Sequence, residues 1–149
     1  MKIEKATLSD LEELNELFDG YRVFYEKESD KQTSKAFLKE RIEQNESVIF
    51  ISRNDDGVAT GFVQLYPLFS STRMKRFWLL NDLYVDQAYR GQGFSKALIE
   101  RSKELCCETA ACGMMLETAK DNHVGNRLYP ATGWAIDEDH NFYTWHNES

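Results

Sequence analysis

The 149-residue sequence predicts a mixed α/β domain. Three observations support this. Short apolar runs of strand character take turns along the chain with runs whose apolar residues recur at helical spacing. A turn signal, Asn54-Asp55-Asp56-Gly57, separates two of the strand-like runs and predicts a hairpin. The stretch from Leu83 to Leu98 reads as an apolar strand, a basic glycine-rich turn and then an amphipathic helix. Nothing in the chain reads as a linker, a repeat or a low-complexity segment, so residues 1–149 are expected to form a single domain.

In chain order, Ile3 to Ala6 is a short strand. Ser9-x-x-Glu12 has the spacing of a capping box and opens a helix with Leu11, Leu14, Leu17, Phe18 and Tyr21 on one face. A second helix runs from about Ser34 to Gln44, with Phe37, Leu38 and Ile42 inward. Val48 to Ile51 is a strand, and after the hairpin turn the chain returns through Ala59 to Tyr66. Pro67 to Arg73 reads as a loop, and Phe77 to Val85 as the strand that leads into the glycine turn. Phe94, Ala97, Leu98 and Leu105 mark the core face of a third helix. Met114 to Thr118 is a strand. Asn122 caps a short fourth helix ending near Ala131, and Gly133 suits its C-terminal stop. Trp134 to Ile136 and Phe142 to Trp145 are expected to close the sheet, bringing the reading to about seven strands and four helices.

Composition narrows the function. A formal charge of −7 disfavours nucleic acid, whose phosphates such a surface repels, and suits cationic partners. No run is long or apolar enough to span a bilayer. Met1-Lys2-Ile3-Glu4-Lys5 lacks the apolar core of a secretion signal, so a cytoplasmic location is expected. The three cysteines, Cys106, Cys107 and Cys112, lack the spacing and histidine partners of a metal site and are expected as reduced, packed thiols, with no metal.

The glycine turn carries the chemistry. Two glycines let a backbone approach a ligand closely, and the first N–H groups of the helix beyond them are unpaired, with the positive end of the helix dipole behind them. A pyrophosphate fits such a place. Neither common phosphate loop matches: Lys96 stands where G-x-G-x-x-G needs its third glycine, and G-x-x-x-x-G-K-[ST] is absent. What remains is Arg90-x-x-Gly93-x-Ser95 after a strand ending in Leu83-x-Val85. It resembles the acetyl-CoA pyrophosphate loop, R/Q-x-x-G-x-G/A, of the GNAT N-acetyltransferases, with Ser95 in place of the usual Gly or Ala. Leu116 to Trp134 resembles the next strand and helix of that family, with its N-x-x-(small)-x-x-L-Y-x-x-x-G-(aromatic) signature.

The resemblance implies a strongly twisted mixed sheet of about seven strands, splayed between the fourth and fifth, with the cofactor in the splay. By position, the backbone of Leu83, Tyr84 and Val85 is expected to pair with the pantetheine arm. The N–H groups of Arg90, Gly91, Gln92, Gly93, Phe94, Ser95 and Lys96 are expected to take the pyrophosphate, with Asn122 and Asn126 on the far side of the pantetheine. The implied activity is acetyl transfer from acetyl-CoA to a primary amine.

Such a reaction needs a proton acceptor for the amine, an N–H donor for the oxyanion and a proton donor for the departing thiolate. Tyr129, at the L-Y position that the family places beside the CoA sulfur, suits the last role, because a phenol with a pKa of about 10 is protonated at neutral pH. The N–H of Val85 or a neighbour is the expected oxyanion donor. Pro130 withdraws an N–H from the helix that carries Tyr129 and is expected to tighten or kink it.

The base stays open. Diamine acetyltransferases of the family read L-E-D-x-x-V where this chain has Leu80-Asn81-Asp82-Leu83-Tyr84-Val85, so one acid is missing. Regular alternation puts Asn81 and Leu83 on one face, Asp82 and Tyr84 on the other. Asn81 holding a water or the amine, Glu117 on the following strand, and a water chain without a side-chain base are the alternatives. For the acceptor, the helices and the loop supply Asp19, Tyr21, Phe24, Tyr25 and Glu28, then Tyr66 and Phe69, with Asp82 from the strand. Carboxylates among aromatic rings suit a small organic cation such as a polyamine, amino acid or aminoglycoside. A peptide or protein lysine or N-terminus is the alternative acceptor, and a non-catalytic acyl-CoA-binding module the alternative class. A homodimer through the aromatic closing strand is compatible with the family.

Overall fold

The computed structural model describes residues 1–148, which divide into two compact units, residues 1–117 and the residues from 118 onward. The first unit is a five-stranded sheet in the order β1-β2-β3-β4-β5, formed by β1 (Lys2–Lys5), β2 (Val48–Arg53), β3 (Ala59–Ser70), β4 (Lys75–Val85) and β5 (Met114–Met115). The first four strands are antiparallel to their neighbours and β5 is parallel to β4. Between them lie α1 (Leu11–Phe24), α2 (Lys31–Glu43) and α3 (Phe94–Glu108).

Each helix in this unit forms for a local reason. Thr7-x-x-Asp10, rather than Ser9-x-x-Glu12, makes the entry to α1: the Thr7 N–H donates to Asp10 Oδ2 at 2.9 Å, and a turn of 3-10 helix over Leu8–Asp10 precedes α1. Asp30 caps α2 by accepting from the Thr33 N–H at 3.1 Å, which moves the start of α2 ahead of the expected Ser34. The apolar stripe of α1 packs Leu14, Leu17 and Phe18 with Leu38 of α2 over Ile49, Ile51 and Phe62 of the sheet. On the opposite face, α3 buries Phe94, Leu98, Ile99 and Leu105, and Trp78 of β4 donates its indole N–H to Thr109 Oγ1 at 3.0 Å.

The Asn54–Gly57 turn forms the expected hairpin, with Asn54 Oδ1 accepting from the Asp56 and Val58 N–H groups. The expected loop at Pro67 does not begin there. Pro67 lies inside β3, opposite Trp78, and the strand continues to Ser70. A proline lacks the donor for one ladder bond but tolerates extended backbone, and the flanking residues complete the pairing.

Two features of the sheet position the site. The β4–β5 pairing is limited to Trp78–Met114 and Leu79–Met115, so β4 continues to Val85 with no β5 partner beside its last six residues. Gly61 of β3 faces the end of β4 at very close range: a Cβ there would lie 2.6 Å from the Tyr84 carbonyl oxygen and 3.1 Å from Val85 Cγ2. Gly61→Ala is therefore expected to cost about 2 kcal/mol of stability by pushing the two backbones apart. Urea unfolding measures it, and an unchanged midpoint would mean that the strands separate freely.

In the second unit, α4 (His123–Ala131) is capped by Asn122, whose Oδ1 accepts from the Gly125 N–H at 3.1 Å. Pro130 sits in the last turn of α4. There the helix closes with the Trp134 N–H on the Tyr129 carbonyl at 3.0 Å and the Gly133 N–H on the Pro130 carbonyl at 3.2 Å.

Neither of the expected closing strands, 134–136 and 142–145, forms among the described residues, and the strand expected over 114–118 is confined to Met114–Met115. Five strands replace the expected seven. Around Ile136 the polar groups satisfy one another locally instead, with Asp137 accepting from the Asp139 N–H at 2.9 Å and meeting His140 Nδ1 at 2.9 Å.

Candidate active site

The end of β4 and the start of α3 form the first half of the site. Asp86 caps a 3-10 turn over Gln87–Tyr89 by accepting from the Ala88 N–H at 2.9 Å, and Arg90 follows in extended conformation. Gly91 and Gly93 then take positive φ angles of 77° and 88°, a region that side chains penalise. A Cβ at Gly91 would meet nothing within 4 Å, so the backbone lies open on that side. Gly93 is the N-cap of α3 and brings no side chain to its first turn, which also contains no acidic residue. The first helical bond formed is Ala97 N–H to Gly93 carbonyl, so the N–H groups of Phe94, Ser95 and Lys96 have no acceptor within the helix. An unfilled set of donors at a helix N-terminus, with Lys96 exposed beside it, fits a pyrophosphate.

The Arg90 side chain faces away from that task. Its Nε donates to the Val85 carbonyl at 3.0 Å, and its guanidinium lies 5.0 Å from the Phe24 ring centroid and 5.7 Å from that of Tyr84. Arg90 thus fastens the loop to β4 and α1 through its Nε and its ring contacts. The Val85 carbonyl, expected to pair with pantetheine, already accepts this bond.

The second half lies on the α1 side of the sheet. Opposite one another in β3 and β4 stand Phe62 and Tyr84, then Gln64 and Asp82, but the next β3 residue, Leu65, stands opposite Leu80. Asn81 is therefore an extra residue in β4, a bulge. Regular alternation, expected to set Asn81 and Asp82 on opposite faces, is broken here: the Asn81 Nδ2 donates to Asp82 Oδ1 at 3.0 Å. Gln64 Nε2 donates to Asp82 Oδ2 at 2.8 Å, and Tyr21 supplies a third side-chain hydrogen bond. Asp82 is buried and Asn81 exposed. Burial pushes the Asp82 carboxyl above the usual carboxylate range, against the lowering effect of its three donors. Tyr66, half-buried nearby, is pushed up to about 12, first by burial and then by the Asp82 charge, with Arg41 opposing.

Around this carboxyl the rings of Tyr21, Tyr25, Phe62 and Tyr84 gather, with Tyr21 5.0 Å from Tyr25, 5.8 Å from Phe62 and 6.1 Å from Tyr84. Phe24 joins through Tyr25 at 5.3 Å. Of the expected acceptor residues, Tyr21, Phe24, Tyr25, Tyr66 and Asp82 thus belong to one group. Asp19 does not: its carboxylate is buried and accepts from Ser29 Oγ at 2.7 Å and the Asp30 N–H at 3.0 Å, fastening the loop between α1 and α2. Phe69 is 71% exposed on the outer part of β3, with the Arg76 guanidinium over its ring. Glu117 is exposed and lies beyond β5 rather than on it. Gln64 was not visible as a site residue in the sequence, because its partner is fixed by the register of β3 on β4.

In the second unit both expected asparagines are engaged. Asn122 Nδ2 donates to Thr118 Oγ1 at 2.8 Å, and Asn126 Nδ2 donates to the carbonyls of Ala119, Lys120 and Asn122. They build the turn before α4. Tyr129 packs edge-on against Trp134 with centroids 6.0 Å apart, the contact that accompanies this type of helix end. Among the described residues, no group of three or more His, Cys, Asp and Glu side chains is placed to hold a metal ion. No helix there is long and apolar enough to cross a membrane. The three cysteines are unpaired; Cys107 is exposed, whereas burial pushes the Cys106 thiol up.

Comparison with known proteins agrees with this geometry. A family model described as the acetyltransferase (GNAT) family matches residues 11–134. An uncharacterized N-acetyltransferase of Bacillus subtilis (strain 168), YhfO, is 40% identical over 137 residues, covering 92% of this chain and 91% of that protein. A probable acetyltransferase of Haemophilus influenzae is 32% identical over 123 residues, covering 83% and 84%. The crystal structure of a probable acetyltransferase superposes with a TM-score of 0.96 at 38% identity, over 100% of this chain and 99% of that one. With a family model matched over residues 11–134 and these relatives across nearly its whole length, the chain belongs to the GNAT family of acetyltransferases.

Proposed function

We propose that this N-acetyltransferase moves the acetyl group of acetyl-CoA to the primary amine of a small organic cation, with residues 1–149 acting as one catalytic domain. The observation that carries the reading is the Asp82 carboxyl, buried among aromatic rings three residues before the end of the strand that feeds the anion loop. Acetyl-CoA supplies an activated acyl group as a thioester. The main-chain N–H groups from Gly91 to Lys96 bind its phosphates, and the strand end at Leu83 to Val85 offers backbone groups to the pantetheine.

Asp82 takes the proton of the incoming ammonium. A carboxylate lifted above its usual range by burial is the stronger base, and general-base catalysis is most effective when the pKa of the base approaches the working pH. Asn81, exposed and bonded to Asp82, leaves its Oδ1 as an acceptor for a substrate N–H. Tyr21, Tyr25 and Tyr84 offer ring faces to the cation. As the C–N bond forms, a main-chain N–H at Val85 stabilises the carbonyl oxygen; as the C–S bond breaks, Tyr129 gives the departing sulfur its proton, the nitrogen sheds its second proton to water, and the phenolate is reprotonated from solvent.

The test is thiol release from acetyl-CoA at about pH 8 with polyamines, amino acids, aminoglycosides and lysine peptides, for wild type and Tyr129→Phe. Amine-dependent release by wild type, reduced at least ten-fold in the variant with acetyl-CoA affinity retained, is expected. Release with lysine peptides alone would overturn the small-molecule acceptor, and equal rates in Tyr129→Phe would remove the phenol from the reaction.

A further inference from the structure

Gln64 is fully buried on β3, directly across from Asp82. Burying an amide costs free energy unless both its ends are bonded, and here they are: Nε2 donates to Asp82 Oδ2 at 2.8 Å, while Oε1 accepts from Ser47 Oγ at 2.9 Å. Ser47 is itself buried, just before β2. A leucine would fill the same space without any polar requirement. The two ends of an amide are chemically opposite, and an ionised carboxylate only accepts. Turned over, Gln64 would set its carbonyl oxygen against a carboxylate oxygen. The Ser47 hydroxyl, by donating to Oε1, holds the amide in the orientation that serves the charged carboxylate.

We propose that Gln64, locked by Ser47, is a positioning residue of the acceptor site: it fixes the rotamer of Asp82 and favours its ionised form. The proposal rests on the reading of Asp82 as the proton acceptor. The groups that face Asp82 are Tyr21 from α1, Gln64 and Tyr66 from β3 and Asn81 from β4, with Arg41 of α2 acting on Tyr66. The side-chain amides do not titrate, and phenols titrate far above neutrality, so proton uptake at this cluster between about pH 4 and 8 belongs to Asp82.

The experiment is a carbon-13 NMR titration of the full chain with labelled aspartate carboxyls, in which Asp82→Asn identifies the Asp82 resonance. Gln64→Leu is expected to raise the midpoint by about one pH unit, the scale of one hydrogen bond to a charged group. Ser47→Ala is expected to raise it less, and Ser47→Thr, which keeps the hydroxyl, to restore it. Circular dichroism establishes that each variant is folded; should Gln64→Leu fail to fold, the Ser47 pair carries the comparison. A midpoint unmoved in the folded variants overturns the role of Gln64. Full turnover in Asp82→Asn would instead overturn the proton-acceptor reading itself, so the two failures are distinguishable.

Discussion

Replacing Asp82 by asparagine is expected to lower amine-dependent turnover by about 10³-fold at pH 8 while leaving acetyl-CoA binding intact. The substitution keeps one oxygen for Gln64 Nε2 and changes the volume little, while its amide nitrogen replaces the acceptor that faces Asn81, so it removes the ability to accept a proton together with one hydrogen-bond acceptor. The same variant carries a stability signature of opposite sense. Burial raises the native pKa of Asp82 above its unfolded value, so the native state binds more protons than the unfolded one between about pH 3.9 and that raised value. Unfolding free energy therefore falls as pH rises through this window, and above it the buried charge remains a constant cost. Asparagine has no such dependence. The melting temperature of Asp82→Asn relative to wild type is expected to climb from pH 4 to pH 7. A variant that gains no relative stability over that range would show that the carboxyl is not disfavoured by burial, and a variant with full turnover would move the base elsewhere.

Arg53→Met is expected to cost about 3 kcal/mol of stability at neutral pH, or a fall of roughly 6–10 °C in melting temperature. The Arg53 side chain is only 12% exposed and ties together three segments distant in sequence. Its Nε donates to Glu4 of β1 at 2.7 Å, its Nη2 to Asp10 at 2.9 Å, and its Nη1 to Glu13 of α1 at 2.8 Å and to the Gly57 carbonyl at 3.0 Å. Methionine fills the space of the stem but leaves Glu4, Asp10 and Glu13 converging with only the exposed Lys2, 3.4 Å from Glu4, as a cation, a larger penalty than the loss of a surface pair. The guanidinium pKa rises on folding, first through the Glu13 hydrogen bonds, so its contribution is present below the unfolded arginine value for as long as the partner carboxylates stay ionised. It is accordingly expected to persist across the neutral range and to weaken with salt only through the half-exposed Glu13. Thermal melts of wild type and Arg53→Met at low and high salt measure both parts; a drop of less than 1 °C would make the cluster ornamental to the fold.

How much of this was legible in the chain depends on the range of the interaction that decides each element. Asn54–Gly57 specified its own turn, because Asn54 bonds the backbone two and four residues on. The glycine loop was equally local: two positive-φ positions, an uncapped helix start and a basic residue are all written within a few residues of one another. Apolar spacing assigned the core face of α1, and the Asn122 cap assigned the start of α4. Where two readings competed locally, sequence chose less well, taking Ser9 for the helix entry that Thr7 and Asp10 make.

Sequence alone therefore determined the family, the first hairpin and the place of the glycine turn before α3, since each rests on patterns between near neighbours in the chain, whereas the two closing strands it predicted do not form among the described residues. Tertiary structure alone decided the surroundings of each carboxyl. The bulge at Asn81 exists only in the register of β4 against β3, and it brings Asn81 and Asp82 together where alternation would part them. Asp19 and Asp82 look equivalent as letters, yet one is occupied by the Ser29–Asp30 loop and the other is buried among phenols and amides. Burial and hydrogen-bond partners set the chemistry of a carboxyl, and both come from residues far away in sequence.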